Sequence, residues 1–401
     1  MSAEPGVGWM ADAHSTLPDD GDLAALVGRV WDPVAGGPSV VTVRARQVID
    51  LSADFATVSD LTELPDPASA LAAASGPRLC SLDELLANTA APQRNAQLPF
   101  LLAPVDLHVV KAAGVTFAVS MIERVIEERS AGDPAAAAEI RARIVERLQV
   151  DLNELVPGSD AAARLKEHLI AEGLWSQYLE VGIGPDVEIF TKAPVLSSVG
   201  SGSEVGVLSS SQWNNPEPEV ALIVSSAGRS VAATLANDVN LRDVEGRSAL
   251  LLGRAKDNNA SCALGPFLRL FDTSFSMDDV RAAEVTITVS GMDGYELADR
   301  SEMRLISRDP DDIVAQLIGA HHQYPDGAVL MLGTLFAPTA DRFGPGDGFT
   351  HAIGDIVRIS TPKLGMLVNR VQASEACTPW TFGIRQLMSN LAERRLAREK
   401  G

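Results

Sequence analysis

Trp213-Asn214-Asn215-Pro216-Glu217-Pro218-Glu219-Val220-Ala221-Leu222-Ile223-Val224 is the stretch on which both fold and chemistry turn. Its second half reads as an apolar strand. Glu217 and Glu219 stand at i and i+2 at the strand mouth, so both carboxylates project from one face. Like charges that close are unfavourable unless a proton or a cation neutralises them. Hard oxygen ligands suit Mg²⁺, Mn²⁺ or Ca²⁺ rather than zinc. Taken alone, such a pair is more often an exposed acidic strand start, with Pro218 marking an edge.

Moving outward, Val231 to Ala236 reads as a second strand, ending in Asn237-Asp238-Val239-Asn240-Leu241-Arg242-Asp243. Asp238 beside the first pair would complete a three-carboxylate set with positions left for substrate and water. Lys256 follows in Arg254-Ala255-Lys256-Asp257. A lysine near such a set could steer or deprotonate an anionic substrate, although a solvated surface lysine is the commoner case.

Further strands read at Glu188 to Thr191, Val285 to Val289 and Ile356 to Ile359, without regular βαβ alternation. The chain is therefore expected to be α+β, with a mainly antiparallel or mixed sheet in its catalytic half. A helical zone runs from about Ala118 to Glu172. In its first helix Ile122, Val125 and Ile126 share a buried face, with Glu123, Arg124 and Glu127 to Arg129 on a solvated one. Asp133-Pro134 starts a second helix, Ala135 to Gln149, and a third begins near Ser159-Asp160 and stops at Gly173. Short strands occupy Leu26 to Leu51, and residues 1–24 read as a loose leader. A closing helix spans about Phe382 to Glu399, with Ile384, Leu387, Met388 and Leu391 on one face. The expected division is an N-terminal domain at 1–104, a helical connecting or lid segment at 105–182 and a catalytic domain at 183–401.

The 401 residues are 46% hydrophobic and 21% charged, an ordinary globular balance. A net charge of -20 repels phosphate backbones and anionic lipid, so neither nucleic acid nor membrane is an expected partner. It also makes a bound cation useful for an anionic substrate. Cys80, Cys262 and Cys377 form no CxxC pair and read as reduced thiols. With no basic n-region and no long apolar run, a cytoplasmic protein is expected. No GxSxG, GxxxxGK[ST] or HExxH motif is present, and Gly200-Ser201-Gly202 reads as a turn.

The ordering of these segments resembles the fumarylacetoacetate hydrolase superfamily. The likeness runs through Phe190-Thr191-Lys192, Ser197, Gly200, the Glu-x-Glu at 217–219, the Asn-Asp-x-x-x-Arg-Asp at 237–243, Lys256 and Gly265-Pro266. It continues to Gly333-Thr334, Gly354-Asp355, Leu364-Gly365 and Asn369. The resemblance implies a rolled β-sandwich catalytic fold and a homodimer or dimer of dimers. It also implies Mg²⁺ or Mn²⁺ on Glu217, Glu219 and Asp238, Lys256 in the active site, and Thr334 near a substrate carboxylate.

A narrower resemblance, from Leu101 onward, is to bacterial 2-keto-3-deoxy-D-xylonate dehydratases. It rests on Lys111 to Ser120, Gly173 to Tyr178, Trp213 to Glu219, Ala255 to Gly265 and Pro379-Trp380-Thr381-Phe382. It implies dehydration of a 2-keto-3-deoxy sugar acid to 2-oxoglutarate semialdehyde. Carbon–carbon hydrolases of the superfamily carry Gly-Leu-Asn-Tyr-x-x-His-x-x-Glu, whose His activates water. Here the matching stretch places Ser120 at the His and keeps Glu123. A hydroxyl is far too weak a base for that work. Glu123 is thus the candidate general acid, and Lys256 orients the carboxylate or enolate or acts as base. Ser120, Thr116 and Thr334 are candidate substrate contacts, as is Arg242, which could instead brace Asp238 or its loop. Position 245 is Glu where several hydrolases carry Gln. The rival readings are acylpyruvate hydrolysis or oxo-acid decarboxylation on the same scaffold, and a non-catalytic sugar-acid binder.

Overall fold

The computed structural model describes residues 9, 12–90, 93–131, 133, 136–137, 139–140, 155–171, 173, 175–336, 338, 340–344 and 348–400. Pro218–Val224 lies inside a large mixed sheet, antiparallel to Ser230–Asp238 on one side and Ala328–Met331 on the other. From one edge the order is Arg78–Ser81, Gln47–Asp50, Gly37–Arg44, Leu26–Asp32, Cys262–Leu270, Ser230–Asp238, Pro218–Val224, Ala328–Met331, Val109–Gly114 and Glu188–Ala193. A second sheet runs Glu296–Glu302, Glu284–Ser290, Ile356–Thr361, Gly365–Ala373, Ser203–Val207.

Alternation along the strands builds two cores. Val220, Leu222, Val224 and Leu235 meet Val285, Ile287, Val357, Ile359 and Leu367 of the second sheet. Ala221, Ile223, Ala232 and Ala236 face the other way, with Leu264, Leu268 and residues of the Val58–Thr62 and Pro67–Ala73 helices. Covering both faces demands apolar side chains at every position, which is why Val220–Val224 shows no alternation of polarity. The architecture is α+β, as expected.

Sheet hydrogen bonding runs across the boundary expected at 104/105: Leu26–Asp32 pairs with Cys262–Leu270 through Leu26↔Arg269 and Val27↔Leu268. The expected loose leader is docked from Asp12 onward. Ala13 and Leu17 are buried, and Asp20 pairs with the buried Arg269. The expected second helix falls almost wholly outside the described residues. The closing helix, Ile384–Lys400, does not bury the apolar face assigned to it. Ile384 is 48% and Met388 67% exposed, because the helix touches the Gly37–Arg44 strand along a narrow line at Leu387 and Asn390. The three cysteines are free and buried. Among the described residues no helix is long and apolar enough to cross a membrane.

Candidate active site

Glu217 and Glu219 flank Pro218 at the start of the central strand, and Asp238 ends its neighbour. The register sets Glu219 opposite Ala236, two residues before Asp238, so all three carboxylates share one sheet face. One oxygen from each lies within 4.8 Å of the others, and all three residues are buried. Glu219 accepts from the Gly333 amide at 2.6 Å. Burial, and then the charges of Asp238 and Glu217, push its carboxyl well above the usual range. The approach of Gly333 is sterically specific. Its φ is +87°, and a Cβ there would meet the Thr116 hydroxyl oxygen at 2.0 Å.

Two lysines enter the same face. Lys192 pairs with Asp238 at 2.7 Å, and Lys256 spans Glu217 and Asp238, the latter at 3.1 Å. Burial opposes charge on Asp238, but Lys192 and Lys256 outweigh it and hold the group below the ordinary carboxylate range. Burial would likewise discharge Lys256, yet Asp238 and Glu217 raise it far above the usual lysine range. Both carboxylates thus favour the charged form of Lys256. Three buried carboxylates, one of them kept from ionising by its neighbours, are a donor set suited to a hard divalent ion.

The Ala118–Arg129 helix covers this cluster. Val125 and Ile126 are buried and Arg129 exposed, as expected, but Glu123 and Glu127 of the face expected to be solvated are buried too. Arg124 reaches Glu217 and pairs with Glu127 at 2.6 Å and Glu245 at 2.9 Å. Arg242 donates to Glu127 at 2.6 Å, to Glu123 at 3.3 Å and to the Pro338 carbonyl at 3.0 Å, and stacks on Trp213. A charged stripe reads as solvated only when nothing of opposite sign packs against it, and here Arg124 and Arg242 meet Glu123, Glu127, Glu217 and Glu245.

The cavity between helix and sheet is small, about 30 Å³. Its walls include Ser120, Arg124, Glu188, Lys256 and Thr334 together with the three carboxylates and Glu245. Of the residues expected from sequence, Ser120, Thr334 and Lys256 reach it, whereas Glu123, Arg242 and Thr116 are not part of its wall. The Ser120 hydroxyl donates to the Phe117 carbonyl at 2.9 Å, and that of Thr116 to the Leu332 carbonyl at 2.7 Å. Arg242 braces the covering helix and the Pro338 loop. Glu188 escaped the sequence reading as a site residue. It opens the Glu188–Ala193 strand, where burial and then Glu245 push its carboxyl up to about 7. An acidic residue opening an edge strand was the available signal.

Comparison with known proteins adds four findings. Residues 175–372 match the family model described as fumarylacetoacetate (FAA) hydrolase C-terminal. A probable 2-keto-3-deoxyxylonate dehydratase of Haloferax volcanii is 27% identical over 266 residues, 61% of this chain and 88% of that protein. A 2-dehydro-3-deoxy-D-arabinonate dehydratase of Saccharolobus solfataricus is 29% identical over 191 residues, 48% of this chain and 60% of that one. Among solved structures, 2-keto-3-deoxy-D-arabinonate dehydratase complexed with magnesium and 2,5-dioxopentanoate superposes with a TM-score of 0.60. At 20% identity over 87% of this chain and 99% of that one, it shows the shared fold.

Proposed function

As a member of the fumarylacetoacetate hydrolase family, the chain is, we propose, a metal-dependent hydro-lyase that removes water from a 2-keto-3-deoxy-pentonate to give 2-oxoglutarate semialdehyde. The observation that carries this reading is one pocket that joins a three-carboxylate cluster to a carboxyl titrating near neutrality, with Ser120 where a hydrolase would place its base. The names of the two curated relatives support the substrate class.

Glu217, Glu219 and Asp238 would hold Mg²⁺ or Mn²⁺, which supplies polarisation of the 2-oxo group and acidity at C3. Glu188, half protonated near pH 7, is matched to take a proton from C3 and return it to the departing 4-hydroxyl. The resulting 3-ene then shifts a proton from C5 to C3, and the C4=C5 enol so formed tautomerises to the semialdehyde. It replaces Glu123, whose carboxylate is engaged by Arg242. Lys256, whose charged form Asp238 and Glu217 favour, orients the substrate carboxylate or the developing enolate.

The test is turnover of both 2-keto-3-deoxy-pentonate epimers and of an acylpyruvate, with Mg²⁺ and after exhaustive chelation. Semialdehyde is expected from a pentonate in the presence of metal. Faster acylpyruvate cleavage, or full pentonate turnover after chelation, would sink the assignment.

Glu188→Gln has its own signature. The group's pKa of about 7 predicts a limb near neutrality in the pH profile of kcat/KM, and the variant should lose that limb. Stability should respond as well. A carboxyl raised in the fold binds more protons there than when unfolded, so wild-type stability falls as pH rises from about 4.5 through 7 and then levels. Urea titrations at several pH values should show a shallower decline in the variant.

A further inference from the structure

Position 245, where several hydrolases of the superfamily carry Gln, is a buried Glu in the wall of the pocket. Arg124 meets it at 2.9 Å, and the same guanidinium reaches Glu217 and Glu127. Arg124 comes from the covering helix. Glu245 comes from the short Arg242–Glu245 turn of helix beneath it, and Glu217 from the central strand. One side chain thus ties the cover to both the floor and a carboxylate of the three-acid cluster. The cavity between them, about 30 Å³, is small for a five-carbon acid. Lifting of the covering helix would widen it, and Arg124 spans the seam that would open. A glutamine at 245 would put a neutral amide in place of the charge that Arg124 meets.

We propose that Arg124 and Glu245 are a positioning pair that seats the Ala118–Arg129 helix on Glu217 and so closes the site over bound substrate. This rests on the reading of Glu217, Glu219 and Asp238 as metal ligands, and the experiment keeps the two apart. Hydrogen exchange across residues 118–129 is compared in wild type, E245Q, R124K, R124M and the R124M/E245Q double variant. Mn²⁺ binding by electron paramagnetic resonance and steady-state kinetics are followed on the same proteins.

Loss of a charge-assisted partner should speed exchange of the helix about ten- to a hundredfold in E245Q and R124M, with the Pro218–Val224 strand unchanged. R124K keeps the charge without the fork geometry and should fall between them and wild type. The double variant should exchange no faster than R124M, because Glu245 acts through Arg124. Turnover should drop by about a hundredfold in kcat/KM while Mn²⁺ still binds, as expected of a cover that no longer settles. Unchanged exchange in both single variants, or fully additive effects in the double, overturns the pair. Absence of Mn²⁺ binding in wild type instead overturns the metal reading.

Discussion

Glu219→Gln should lower turnover on the order of 10³-fold while leaving the protein without added metal at least as stable as wild type. The first half follows from the proposed metal site, where glutamine would remove one carboxylate ligand. A metal contributes several kcal/mol of transition-state charge stabilisation, and each 1.36 kcal/mol is tenfold in rate. The second half follows from the sign of the titration. Burial with Asp238 and Glu217 holds the Glu219 carboxyl protonated well above its ordinary value of 4.5. In the unfolded chain that group ionises freely, so at neutral pH the wild-type side chain opposes folding until a cation is bound. Glutamine is neutral in both states and removes that opposition. Thermal melts with and without Mn²⁺ should therefore cross: the variant equal or higher without metal, the wild type higher with it. A variant that melts well below wild type in chelator, or that keeps full turnover, would show that Glu219 is a structural acid.

Lys256→Met should do the opposite to stability. Its ammonium group bridges Glu217 and Asp238, with all three side chains at 5% exposure or less. Removing one partner of a buried pair leaves uncompensated charge and typically costs about 3–5 kcal/mol. Lys192 still faces Asp238 and Arg124 still reaches Glu217, so the penalty should lie at the low end of that range. A divalent ion can replace part of the missing charge, so added Mn²⁺ should recover more of the melting temperature than it adds in wild type. Turnover should remain about 10²–10³-fold down even with metal, the usual loss when one preorganised electrostatic stabiliser is removed. Because the raised pKa keeps Lys256 charged throughout the working range, no pH optimum should track it. Activity restored at high pH in a Lys256→Arg protein, with no change in stability, would argue against this role.

Part of this site was legible in the sequence because it is local. Glu217 and Glu219 lie two apart on one strand, so strand geometry alone puts them on one face, and a run without polar residues after them marks a strand covered on both sides. Asp238 could be added because it ends the next apolar run, and adjacent runs tend to pair. Lys256 and Ser120 were found through the ordering of motifs, not through any local pattern. The covering helix was misjudged for a definite reason. Periodicity separates apolar from charged faces but cannot say whether the charged face meets water or a set of opposite charges. Arg124, Glu127, Arg242 and Glu245 are far apart in sequence, and their mutual neutralisation exists only once Leu241–Gly246 and the helix are brought together.

What the sequence by itself determined is the α+β class, the Glu-Pro-Glu strand and the three-carboxylate set, since each depends on spacing within one strand or on the order of segments along the chain. Only the tertiary structure shows which carboxyl burial pushes up toward 7, that Asp238 and Glu217 favour the charged form of Lys256, and what Arg124 holds. Those properties are set by burial and by charges a few ångströms away, contributed by segments as distant as Arg124, Glu217 and Glu245, and no spacing rule along the chain encodes a Coulomb interaction across it.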